Sequence, residues 1–171
     1  MKFRIPYFIL VLAILIAAIG WFFYFRNSSH QKEEIHYHAG FQVYKDNTLV
    51  DFSDLQYMNL RPCGVSNEKE DPQIEKAHLH DGVGDVVHVH RPDALWKDLF
   101  QNIKYDISGA EVWKDGKKQE NFLEQPIQAN ESVVFFLGNT DKKEEKINNR
   151  VRVEKIKLVE QQSESCGSPT K

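Results

Sequence analysis

Three copies of the pattern His-x-His occur at His36/His38, His78/His80 and His88/His90, and they hold six of the chain's seven histidines. Chance at this composition supplies roughly 0.3 such pairs, so the excess has to be explained. Residues two apart on a β-strand point to the same face of a sheet. The pattern therefore predicts strands, each carrying two imidazoles toward one point. The second and third pairs flank Asp81-Gly-Val-Gly-Asp85, which is turn chemistry. In an antiparallel hairpin the numbers of facing residues have a constant sum. A turn centred on Gly84 sets His80 opposite His88 and His78 opposite His90; one centred on Val83 sets His78 opposite His88. Both registers keep all four rings on one face, and a slip by one residue would scatter them.

Facing Cβ atoms lie about 4.5–5.5 Å apart, close enough for imidazoles of two strands to meet on one ion. Without an ion, charging any ring of such a cluster repels the next. A divalent transition metal removes that conflict, and imidazole suits Zn, Cu, Ni and Fe. Met1 and Met58 are the only methionines and there is no Cys-x-x-Cys, which argues against a soft Cu(I) site; Zn or Cu is the expected ion. A lone His-x-His is ordinarily a solvated or core pair. Four such histidines on one face reverse that expectation, so His78, His80, His88 and His90 are expected metal ligands. His36 and His38 are candidates that must reach the cluster through the fold. Asp81 and Asp85 are either turn residues or outer acceptors for a ring N–H. His30 has no histidine at short spacing and is left out.

Residues 5–25 form an uncharged run of 21 residues, about 31 Å long as a helix, which matches a bilayer core. Lys2 and Arg4 before it predict a cytoplasmic N-terminus, and the aromatic cluster from Trp21 to Phe25 suits an interface. Cleavage after Gly20, in a small-x-small site, is the alternative; either way the rest of the chain is exported. The expected organisation is a transmembrane anchor at 1–26, a linker at 27–35, a His-rich domain at 36–140, and a charged helix and tail at 141–171. Lys2, Arg4 and Arg26 are three of 22 basic residues, and all 25 acidic residues lie beyond them. The exported part is thus net negative, which excludes nucleic acid as a main partner and electrostatic docking on anionic lipid.

Short β signals dominate that part. Phe41-Gln-Val-Tyr44, a turn at 45–48 and Leu49-Val-Asp-Phe52 read as a hairpin, and the second and third His pairs read as another. Pro92 and Asp93 look like a helix start, followed by Leu95, Trp96, Leu99, Phe100 and Ile103 at helical spacing. Ala110 to Lys114, an Asp115-Gly116 turn and Lys117 to Glu120 read as a third hairpin, and Ser132 to Leu137 as a buried strand. Residues 141–162 read as one weakly amphipathic helix, with a strand still open near Val151 and Val153. The sum is an α+β fold: a small, mainly antiparallel sheet with one packed helix and a C-terminal helix. The stretch 110–138 resembles the second half of a β-grasp domain, which implies a β-grasp-like sheet.

His36-Tyr-His-Ala-Gly-Phe41, His78-Leu-His-Asp-Gly-Val-Gly-Asp-Val-Val-His-Val-His90 and Leu95-Trp-Lys-Asp-Leu-Phe100 together resemble a largely uncharacterised family of short, membrane-anchored prokaryotic proteins with repeated His-x-His motifs. The family pattern usually has an acidic residue where this chain has Gly40, and often Asp where it has Val83. The expected function is metal capture, buffering or delivery outside the cytoplasm. The alternatives are a metal-dependent hydrolase or hydratase with a three-histidine water site, for which Glu68, Glu70 and Glu75 are candidate bases, and a pH-sensing interaction module. Cys63 and Cys166 pair as an extracytoplasmic disulfide, stay free, or lend one thiolate to the metal.

Overall fold

The computed structural model describes residues 35–60 and 71–163, with Leu12, Leu15, Ile16, Ile19 and Trp21 in helical conformation before them. The chain divides into two compact units, Met1–Glu34 and Ile35–Lys171, and the second holds all three histidine pairs. Apart from those five positions, the expected membrane segment at 5–25 lies outside the described residues. Among the described residues no helix is long and apolar enough to cross a membrane. Cys63, Cys166, Glu68 and Glu70 also lie outside them.

Among the described residues six strands form one sheet: β1 (Tyr37–Lys45), β2 (Thr48–Leu49), β3 (Val86–Val89), β4 (Glu111–Lys114), β5 (Lys117–Gln119) and β6 (Ser132–Leu137). Their order is β2-β1-β6-β4-β5, with β3 pairing on β1 as well. Asp46 and Asn47 (φ 46° and 71°) turn β1 into β2, and Asp115 and Gly116 (φ 52° and 73°) turn β4 into β5. Two consecutive positive φ values are what a tight two-residue hairpin requires, so the local turn chemistry places both hairpins.

The centre of the sheet departs from the antiparallel expectation. β1 and β6 run parallel, from Gly40 opposite Ser132 to Lys45 opposite Leu137, so the α+β fold is built on a mixed sheet. Hairpin signals reveal only antiparallel neighbours; a parallel neighbour arrives by a long crossover that leaves no local trace. β6 carries Val133, Val134, Phe135 and Phe136 with both faces buried, as a strand covered on both sides must.

One face packs Ala39, Phe41, Val43, Val87, Val89, Val133 and Phe135 against helix α1 (Trp96–Asn102). Phe100 meets Phe41 and Phe135 edge-on, with ring centres 6.1 and 4.9 Å apart, the geometry that aromatic quadrupoles favour. The helix starts at Trp96, later than Pro92-Asp93 suggested. Asp98, buried in its first turn, accepts the Leu95 N–H at 2.8 Å, whereas Asp93 lies in the open, 3.7 Å from Lys76.

The other face is covered by two helices where one was expected, α2 (Lys143–Asn148) and α3 (Val153–Ser163). Ile147 packs on Tyr44, Val134 and Phe136; Val151, Ile156 and Val159 pack on Val86. The break between the helices lowers Val151 onto Gly40. A Cβ on Gly40 would sit 2.7 Å from the Val151 Cβ, so only glycine admits the contact.

Candidate metal centre

The period-two alternation divides the work between the two faces of the sheet. Odd positions Ala39, Ala77, Leu79, Val87 and Val89 enter the core beneath α1. Even positions 36, 38, 78, 80, 88 and 90 therefore turn to the opposite face, where every one is histidine. β1 starts at Tyr37, four residues before the alternating stretch that marked it in the sequence, and so carries His38 inside the ladder. His38 pairs directly with His88 across β1 and β3. Continuing that register sets His36 beside His90, whose rings stack at 5.1 Å.

On the other edge of β3, His78 and His88 exchange two backbone hydrogen bonds, N–H to C=O, of 3.0 and 2.9 Å. Of the two hairpin registers, the Val83-centred one is therefore adopted. Asp81 and Gly82 (φ 57° and 72°) tighten the chain there, and the Val83 N–H donates to the His80 carbonyl at 3.1 Å. His38, His88 and His78 make a row across three segments, with His80 two residues from His78 on the same face.

His88 is the hub. Its ring centre lies 4.2 Å from that of His80, 4.3 Å from His38, 4.4 Å from His36, 4.5 Å from His90 and 5.1 Å from His78. Two triads offer nitrogens within 4.8 Å of one another: His36, His38 and His88, and His78, His80 and His88.

The rings are oriented by fixed acceptors. His78 donates Nδ1–H to the Ile74 carbonyl at 2.9 Å, and His80 donates Nδ1–H to the Asp81 carboxylate at 2.6 Å. Both tautomers leave a lone pair on Nε2. The His80 Nε2 faces the His88 Nδ1. The Nε2 atoms of His78 and His88 and both ring nitrogens of His38 are buried with no hydrogen-bond partner. Buried polar atoms without partners are costly, and a cation ringed by these nitrogens is the group that would satisfy them. Among the described residues the donor set is all imidazole, a set that could hold a divalent transition metal.

The electrostatics agree. Burial, reinforced by the neighbouring imidazoles, pushes His38 down to about 3 and His78 down to about 4, and holds His88 lower still. These three rings are thus held neutral at ordinary pH, the state in which imidazole binds a metal.

Of the two acidic candidates, Asp81 serves both as turn residue and as acceptor for His80, while Asp85 pairs with Lys155. Glu75 is paired with Arg91 at 3.2 Å. Sequence reasoning missed the brace behind His78. Asn102, at the end of α1, donates to the carbonyls of Gln73 and Ala77 at 2.9 and 2.7 Å, and Gln73 donates to Asp98 at 3.0 Å. These bonds hold the 71–77 segment that presents the Ile74 carbonyl. They join residues 25 to 29 apart, a range at which no local pattern signals them.

No protein-family model, curated protein or solved structure matches this chain.

Proposed function

We propose that this chain is a membrane-tethered, extracytoplasmic protein that binds a divalent transition metal, Zn or Cu(II), through its His-x-His face, for capture, buffering or delivery. The observation that carries the reading is the His78, His80 and His88 triad. Its nitrogens lie within 4.8 Å of one another, and the Nδ1 protons of His78 and His80 are committed to Ile74 and Asp81. Metal-bound histidines are held in this way, with the far nitrogen donating to a carbonyl or carboxylate. When bound, the metal would supply Lewis acidity; the residues described here orient and desolvate its ligands. The membrane tether rests on residues 5–25 alone, and a β-grasp-like arrangement is supported by the parallel β1–β6 centre with α1 packed on one face.

The experiment is elemental analysis of the full chain, purified in detergent without a histidine tag and exposed to Zn or Cu(II). At least one ion per chain is expected, with the metal content reduced in the His78→Asn/His80→Asn variant. A wild-type protein that retains no metal after gel filtration would overturn the reading.

A further inference from the structure

His88 belongs to both triads, and its two ring nitrogens have different surroundings. Nδ1 is turned to the Nε2 of His80, on the side of the turn. Nε2 is buried without a hydrogen-bond partner. On the β1 side, His38 brings two further buried nitrogens without partners, at a ring distance of 4.3 Å, and His36 lies at 4.4 Å. A single ion binds an imidazole through one nitrogen, so a site confined to His78, His80 and His88 leaves the other nitrogen of His88 and both of His38 unsatisfied. A site confined to His36, His38 and His88 lets the His88 Nδ1–H donate to the His80 Nε2 but leaves the buried Nε2 of His78 without a partner. Each one-ion solution strands buried polar atoms that the second ion would satisfy.

We propose that the histidine face holds two divalent transition-metal ions at once, with His88 as a bridging imidazolate between a His78/His80 ion and a His36/His38 ion. The inference rests on the metal-binding reading above and extends it to a second site. Bridging forms one metal–nitrogen bond at Nδ1 and one at Nε2, and breaks the remaining ring N–H, whose proton goes to solvent. No electron is transferred. The acceptors of Nδ1–H on His78 and His80 keep those rings terminal, because each has only Nε2 left to offer. His88 is the member that can bridge, since its Nδ1 is turned toward a histidine of one triad and its Nε2 is buried with no acceptor of its own.

Cu(II) is the probe, because two cupric ions joined by an imidazolate couple antiferromagnetically. The full chain in detergent, without a tag, is titrated with Cu(II) and followed by elemental analysis and electron paramagnetic resonance. The expected result is saturation at two ions per chain. The doublet signal grows over the first equivalent and falls to a small fraction as the second enters. The His36→Asn/His38→Asn variant is expected to retain one ion with a full, uncoupled doublet. Saturation of the wild type at one ion overturns the second site and leaves the metal-binding reading standing. Two ions with two full doublets overturn the bridge. No bound copper at all overturns the reading beneath both. These readouts are made on the wild-type chain, so a variant that fails to fold does not remove the test.

Discussion

At the scale of single residues, the site depends on which nitrogen of each imidazole keeps its proton. Asp81 sets this for His80. Its carboxylate is exposed on the far side, so Asp81→Asn should leave the fold intact while weakening its hold on the ring. Loss of such an outer partner typically costs 10–100-fold in metal affinity. A drop of that size is the expected outcome in competition with a chromophoric chelator, with unchanged circular dichroism. A second consequence concerns protons. In the metal-free protein, His38 and His78 have folded pKa values of about 3 and about 4, below the ordinary value near 6.5. The unfolded chain therefore binds more protons once the pH drops under that value. Stability should be highest above pH 6.5 and fall as the pH decreases from there toward 4 and 3, by up to about 1.4 kcal/mol per pH unit for each such histidine. Urea midpoints of the metal-free protein at pH 8, 6.5 and 5 check the sign; a midpoint that rises on acidification would refute it.

At the scale of elements, two glycines decide how the histidine strands are held. A Cβ on Gly84 would meet the Ser53 nitrogen at 2.4 Å and the Phe52 carbonyl carbon at 2.5 Å. Both are backbone atoms that cannot yield as a side-chain tip would. Gly84→Ala should push the 81–85 turn off its neighbour and disturb the register that brings His78 to His88. Lower thermal stability and weaker metal binding are expected together. Gly40→Ala acts elsewhere: its Cβ meets Val151 at 2.7 Å, and overpacking of this kind costs about 1–3 kcal/mol. The expected result is a lowered melting temperature with metal stoichiometry preserved, because the link between α2 and α3 is displaced rather than the β1–β3 pairing.

At the scale of the whole molecule, an ion held by the triads would link binding to folding. The triads draw on β1, β3 and the 78–80 segment, which are brought together only in the folded chain, so an ion that binds them stabilises the fold. At a free concentration a hundred times the dissociation constant, the gain is about 2.7 kcal/mol, roughly 10 °C for a domain of this size. Chelation should lower the melting temperature by a similar amount, and readdition of Zn or Cu(II) should restore it; equal melting curves with and without chelator would sink the linkage.

Much of this protein can be read along the chain, because a pleat is a local object. The spacing of two in each His-x-His, with Tyr37, Leu79 and Val89 between the paired histidines, already dictates one histidine face and one apolar face. The Asp-Asn and Asp-Gly turns place two hairpins, and the apolar run from Ser132 to Leu137 marks a buried strand. The turn sequence allowed two registers for the second hairpin, and the tightness of the chain at Asp81 and Gly82 chose between them. Other features were decided only in three dimensions. Strand partnership over long separation is not encoded locally, so neither the parallel pairing of β1 with β6 nor the placing of His38 against His88 has a signature in either segment. The break at Val151 answers to Gly40, more than a hundred positions earlier. The orienting carbonyl of Ile74 depends on Asn102 and Gln73, whose polar side chains look like surface residues until the fold sets them against one another. Sequence by itself determined what kind of atoms the site offers and which face they take; tertiary structure decided that three separate segments deliver them to one ring, His88, because only packing of the core beneath aligns those strands.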